Sequence, residues 1–404
     1  DLGEAGKAHR EQKLPSNEVM LAVADVFAQA DDSASQFYSS ILILLMAAPN
    51  RISEVLKLPV DCIQWDSDER GKPQMFLRWR AAKGKGAMKK WVMPGMHDVV
   101  EEAVQRMVKV GEPARAAARF AYEKPGQFMP HAGCLEDSRT TIDAVLGPEE
   151  FCRAIGLKTP NRYLDGASSW AGVVGDKKIS RLIKEGRTTF AALANYVLEM
   201  YSGAYWPYID KDKSVLAWDA LCLHRQNEFH SIFEAKAFSW RLPSQNEVND
   251  RLYSRKGLSL FDRMGIKKAD GSDIKVTSHQ LRHWLSTMSE RAGMDDYTLA
   301  QWAGRARAAD NRHYDHRSPE ERLEAAKGLL PLQPAPLLER IKHRQPVTYQ
   351  ELGADRLGTA KATLYGMCVH DYAMAPCQKQ RECMTCKEHV CIKGDHVTLD
   401  RIRL

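Results

Sequence analysis

The heptapeptide SHQLRHW, residues 278–284, places His279, Arg282 and His283 at i, i+3 and i+4, on one face of a helix. A guanidinium is always charged and presents a rigid fork of donors, whereas an imidazole can donate, accept or pass on a proton near neutral pH. Alone, the heptapeptide fits a solvated helix face with a satisfied histidine as readily as an anion-binding site. More candidates flank it. Upstream, NRISEVLKL carries Arg51 and, one helical turn later, Glu54. The stretch AAKGKGAMKK carries Lys83, and close by Lys85, Lys89 and Lys90, which read as phosphate anchors. Downstream, LAQWAGRARAADNRHYDH carries Arg305 directly after Gly304, and then Tyr314.

The elements that must position these residues are mainly helical. Apolar residues recur at helical spacing in NEVMLAVADVFAQA and SASQFYSSILILLMAA, and Pro49 ends the second run. QMFLRWRA and KKWVMP read as two strands of a hairpin whose turn holds Gly84 and Gly86. MHDVVEEAVQRMVKVG reads as an amphipathic helix stopped by Gly111. From 112 to 245 the pattern is helical only in places and rich in aromatics, which are expected to be core rather than a stacking platform. Helical periodicity returns from 278 to 328, and LLPLQPAPL (329–337) reads as a linker.

The 404 residues suffice for two or three domains. A net charge of +6 permits a polyanionic partner without demanding one. The longest apolar run, SILILLMAAP, is too short to span a bilayer, and no signal segment opens the chain, so a cytoplasmic location is expected. The absence of an initiating Met at Asp1 suggests that part of the natural N-terminus is missing.

Arg51 with Glu54, Lys83 in a hairpin turn, His279-x-x-Arg282, the position after Gly304 and Tyr314 occur in an order that resembles the tyrosine recombinase/phage integrase family. The resemblance covers about residues 15–328 and implies a mainly α catalytic domain with a small antiparallel β-hairpin or sheet. It implies cutting and rejoining of double-stranded DNA through a 3′-phosphotyrosine, for integration or excision of a mobile element, with nucleoid association. Tyr314 would be the nucleophile, Arg51 and Arg282 the clamp on the phosphate oxygens, His279 a donor or proton acceptor and Lys83 the general acid for the 5′ oxygen. Glu54 and His283 would support them. A phenol ordinarily loses its proton only near pH ~10, so it needs such neighbours. No metal enters the chemical step.

Two departures stand out. Arg305 occupies a position that usually holds His or Trp, and the interval from Lys83 to His279 is long, as though 112–245 enlarged the domain. The resemblance further implies a dimer on one DNA site and a tetramer across two, with SPEERLEAAKGLL (318–330) placed to reach a neighbour. It also implies a separate helical DNA-binding domain ahead of the catalytic one, for which little chain is present. A silent DNA-binding regulator, a tyrosine-dependent topoisomerase and a telomere resolvase remain alternatives.

Of nine cysteines, Cys62, Cys134, Cys152 and Cys222 are scattered and read as buried small hydrophobes. The spacing Cys377-x5-Cys383-x2-Cys386-x4-Cys391 suits a structural zinc ion, with Cys368 and His370 as spare ligands. The tail 329–404 is therefore expected to be a linker and a metal-binding module, similar to cysteine-rich tails of some transposon-encoded integrases, whose cysteine segment is too small for a core of its own and folds around the ion. Residues 1–14 read as a flexible N-terminal segment.

Overall fold

The computed structural model describes residues 14–67, 71–80, 87–156, 176–253, 259–328, 336–343, 345, 347–353, 358–370, 377–379 and 382–403. Lys83 and Lys85 lie outside the described residues. The chain divides into two compact units, Asp1–His316 and Arg317–Leu404.

In the first unit, α1 (Asn17–Gln29) is capped by Ser16, whose hydroxyl accepts from the Val19 N–H. Asp32 caps α2 (Ser33–Ala47), and the Ile41, Leu42, Leu44 and Leu45 side chains on several sides of that helix are all fully buried. A helix apolar all round belongs in a core, and this one threads the middle of it. Pro49 ends it and Asn50 leads into the single turn α3 (Ile52–Val55), with Arg51 at its N-cap.

An antiparallel three-stranded sheet follows in the order β1 (Ile63–Ser67), β2 (Pro73–Arg80), β3 (Ala87–Trp91). Met75, Leu77 and Trp79 on β2 are buried, with Arg78 pointing outward. The hairpin expected from the sequence is β2–β3; β1 is an addition to it.

Helix α4 (His97–Glu123) runs straight through Gly111, which does not stop it. A Cβ at this position would fall 2.5 Å from the Leu223 carbonyl oxygen and from Arg115 Nη1. The glycine is there to let a neighbouring chain segment approach, a tertiary demand that looks like a stop signal in one dimension.

The second half of α4 and described residues after it build a second apolar core with α5 (Pro148–Ala154), α6 (Lys177–Lys184) and α7 (Phe190–Tyr201). Phe128, Phe151, Phe190, Phe238 and Trp240 are buried in it, and the Trp206 and Trp240 rings stack at 5.1 Å. Most of the described aromatics in this region are therefore either buried in a core or packed against one, as expected.

The chain then returns to the first core through α8 (Gln245–Leu252) and α9 (Leu260–Arg263). Helix α10 (Ser278–Arg291) starts with a capping box between Thr277 and Gln280, and α11 (Asp296–Trp302) is capped by Asp295. Gly304 takes a left-handed φ of 64°, and the Arg305 N–H reaches back to the Ala300 carbonyl at 2.8 Å, closing the helix. A 3-10 turn, Ala308–His313, delivers Tyr314.

The second unit begins earlier than the linker at 329, so α12 (Pro319–Gly328) is counted with it. It holds α13 (Leu337–Lys342), a four-stranded antiparallel sheet of β4 (Val347–Thr348), β5 (Thr359–Ala362), β6 (Met367–Cys368) and β7 (His389–Val390), and α14 (His396–Arg403). Ile341, Val347, Tyr349, Met367 and Val369 form an apolar cluster within this unit. Pairing the short strands buries Val347, Ala360 and Met367 and packs the partly buried Val390 against them, a sum that the sequence spacing conceals.

Among the described residues, no three His, Cys, Asp or Glu side chains are grouped to hold a metal ion. Cys377, Cys383 and Cys386 are partly buried and Cys391 is exposed. Cys368 is buried on β6, and His370 Nδ1 lies 2.5 Å from Glu388 Oε2. Among the described residues, no helix is long and apolar enough to cross a membrane.

Candidate active site

Helix α10 carries a polar stripe much longer than the heptapeptide that announced it. His279, Arg282, His283, Ser286, Thr287 and Glu290 share one side, while Leu281 and Leu285 point into apolar surroundings. All six except His279 are buried. Polar groups removed from water must find partners, so a buried polar stripe implies a network packed against it.

Tyr314 sits at the centre of that network. The Thr287 hydroxyl donates to the Tyr314 carbonyl at 2.8 Å and accepts the His316 N–H at 3.3 Å, which holds the backbone on both sides of the phenol. The guanidinium carbons of Arg305 and Arg282 lie 4.2 and 4.9 Å from the centre of the Tyr314 ring. The His283 and His279 rings lie 4.8 and 6.1 Å from it.

Arg282, only 2% exposed, donates from Nη1 to the Pro49 carbonyl and from Nη2 to the Ala303 carbonyl at 3.3 Å. Its buried Nε has no hydrogen-bond partner among the described residues. An unmade bond on a buried cation is costly, and an anion would supply it.

Arg305, 6% exposed, turns inward from the helix end rather than capping it toward water. Its Nη2 donates to Ser286 Oγ at 2.7 Å and its Nη1 to Asn311 Oδ1. Asn311 in turn donates to the Asp296 carbonyl at 2.7 Å. Arg305 thus ties α10, α11 and the turn before Tyr314 together, while its charge faces the ring.

On the other wall, the Arg51 backbone N–H and Nη1 donate to the two oxygens of Glu54 at 3.0 and 3.1 Å. Glu54 is buried and also faces Lys90, whose Nζ lies 3.6 Å away. Lys90 was expected to be a surface phosphate anchor; the structure buries it completely. Strand alternation is the reason: on β3 Met88, Lys90 and the following Val92 share the inner face, and Lys89 and Trp91 share the outer one. Lys90 Nζ donates to Asn50 Oδ1 at 2.8 Å and lies 4.6 Å over the Trp79 ring. Lys89 stays exposed, paired with Asp66 at 2.6 Å.

Burial holds Lys90 down to about 7, against the pull of Glu54 and with help from the charge on Arg282. An unfolded lysine keeps its proton up to about 10.5, so between pH 7 and 10 the unfolded chain holds a proton that the folded chain has shed. Lys90 therefore makes stability rise with pH in that window. The denaturant midpoint of the unaltered chain should gain on that of Lys90→Met as pH goes from 7 to 10. An unchanged gap between the two would show that Lys90 keeps its proton in the fold.

Three arginines and this lysine thus crowd one pocket of charge. Desolvation lowers the affinity of Arg282 for its proton, offset by Tyr314 and worsened by Arg51. Arg305 is pushed to about 10 by burial and by Arg282, and Glu290 opposes this. Mutual repulsion of this kind is relieved by a bound anion with several oxygens, such as a phosphodiester.

Of the residues singled out from the sequence, Arg51, Glu54, His279, Arg282, His283, Arg305 and Tyr314 come together. Lys90 joins them from a different expected role, and Asn50, Ser286, Thr287, Glu290, Asn311 and His316 join them unannounced. Extending the i, i+3, i+4 series along α10 points to Ser286, Thr287 and Glu290, and strand alternation points to Lys90. No local signal marks Asn50 or Asn311.

No family model matches the chain, and no curated protein matches it. Solved structures similar to it include the XerH site-specific recombinase bound to difH substrate. The post-cleavage complex on palindromic difH has a TM-score of 0.33 and 10% identity, covering 78% of this chain and 52% of that one. The pre-cleavage complex has a TM-score of 0.33 and 10% identity, covering 78% and 53%. XerA recombinase has a TM-score of 0.29 and 14% identity, covering 79% and 66%. The chain spans about half the length of the XerH chains.

Proposed function

We propose that this chain is a DNA strand-transferase of the tyrosine site-specific recombinase family, acting in integration or excision of a mobile element. The observation that carries the reading is the seating of the Tyr314 ring between two buried guanidiniums, 4.2 and 4.9 Å from its centre, within reach of the histidines on α10. Arg51, Arg282 and Arg305 surround the place where a scissile phosphate would gather negative charge on its non-bridging oxygens. Tyr314 attacks phosphorus, the bond to the 5′ oxygen breaks, and the 3′ phosphate stays on the protein as a phosphotyrosine. The energy of the phosphodiester is kept in that link, so rejoining needs no outside source. His279 takes the phenolic proton. Lys83, outside the described residues, would protonate the departing 5′ oxygen from the β2–β3 turn. Lys85 and Lys89 would contact flanking phosphates, where binding weakens with salt. Assembly follows the same logic: two duplexes need four cuts, hence four protomers.

The test is a pool of nicked duplexes with randomised flanks, incubated with the protein and run under denaturing conditions. A covalent protein–DNA adduct whose digest carries the nucleotide on Tyr314 is the expected outcome. DNA retained without any adduct would instead identify a silent DNA-binding regulator.

A further inference from the structure

His316 follows Tyr314 by two residues and folds back onto α10. Its Nε2 lies 2.8 Å from His283 Nδ1, and His283 Nε2 lies 2.8 Å from His279 Nε2. The middle imidazole is 4% exposed and has both ring nitrogens engaged, with the His316 ring 4.8 Å and the His279 ring 4.4 Å away. Three imidazoles therefore form one unbroken line beside Tyr314, running from exposed His279 to partly buried His316.

The line has a chemical consequence. A neutral imidazole carries one N–H and one lone pair, so His283 meets both neighbours only by donating to one and accepting from the other. The whole line is polarised in one direction or the other. Reversing it moves a proton from end to end without breaking the line. It also holds one extra proton comfortably, since a cationic His283 donates both ways, whereas two adjacent cations would repel. Around it stand the charges of Arg282 on the same helix, Arg305 over the Tyr314 ring, Glu290 further along α10, and Asp315 beside His316. The two guanidiniums over the Tyr314 ring discourage a standing charge beside the phenol and favour its dispersal along the line.

We propose that His279, His283 and His316 are a proton relay for the cleavage step. This rests on the reading of Tyr314 as nucleophile. As the Tyr314 oxygen bonds to phosphorus and the 5′ oxygen departs, the phenolic proton passes to His279 Nδ1. The proton on His279 Nε2 moves to His283 Nε2, and the one on His283 Nδ1 moves to His316 Nε2. The charge ends on His316, and religation runs the transfers backward to restore the phenol. His279 is then the catalytic base, and His283 and His316 are positioning residues that act through it.

The experiment compares single-turnover adduct formation by the unaltered chain, His316→Gln and His316→Ala between about pH 5 and 8, where histidines change charge. DNA affinity and the thermal midpoint of each variant are measured alongside. The Gln side chain is polar but does not titrate in this range. Expected are a fall of about tenfold or more in rate for both variants, a changed pH profile, and recovery of His316→Ala by added imidazole. Unaltered rate and profile in folded His316→Gln would overturn the relay, as would a fall that keeps the profile's shape and resists imidazole. If the unaltered chain itself forms no adduct, the reading of Tyr314 fails and the relay falls with it.

Discussion

Tyr314→Phe should form no covalent adduct with DNA and should bind the same duplex almost as tightly as the unaltered chain. The rate should fall below detection, on the order of the 10⁶-fold seen when other enzymes lose a nucleophile. The fold should survive because the hydroxyl, hydrogen-bonded to Arg282, is only one of the groups that hold this residue. Its carbonyl is anchored by Thr287 at 2.8 Å, and its ring stays under the Arg305 and Arg282 guanidiniums, contacts that a phenyl ring keeps. Binding should survive because arginine and lysine contacts to phosphates supply most of the affinity in such interfaces. Gel retention and denaturing electrophoresis of one reaction read both quantities. An adduct that persists in the Phe variant would mean that another residue attacks the phosphate.

Arg305→Ala is the second large effect, and it appears in two measurements. The cleavage rate should fall by about 10² to 10³, the usual loss when a cation facing developing charge is removed. Stability should fall as well, by about 1–3 kcal/mol, because Ser286 Oγ and Asn311 Oδ1 lose a buried charged donor. The structure explains why both occur. From the sequence, Arg305 stands where the family has His or Trp, and either a phosphate donor or a solvent-facing helix cap fits its place after Gly304. The inward course of the side chain rules out the solvent-facing cap. Its Nη1 and Nη2 hold protein groups, so its contribution is to place Tyr314 and to set the local positive potential. Arg305→His should recover part of the rate, since an imidazole can reach Ser286 but cannot span to Asn311 as well. If folded Arg305→Ala cleaved at the unaltered rate, Arg305 would be a strut and no more.

The same contrast runs through the molecule. Spacing along one helix made His279, Arg282 and His283 legible, because 3.6 residues per turn converts sequence interval directly into a shared face. Continued to Ser286, Thr287 and Glu290, the rule would have announced the whole polar stripe. Alternation along β3 would likewise have turned Lys90 inward, had it been weighed against the habit of placing lysine outside. The apolar girth of Ser33–Ala47 and the stop at Pro49 were equally plain.

Tertiary structure alone decided the rest. Gly111 reads as a helix end, but Leu223, remote in sequence, needs the space its missing side chain leaves. The small core of the second unit depends on which short strands pair. Nothing near Asn311 shows that it will receive Arg305, and nothing near His316 shows that it will meet His283. Local sequence determines backbone preference and which side of an element a residue occupies. Which sides then face each other depends on how the elements pack, and that packing brings Tyr314 under its arginines and the three imidazoles into line.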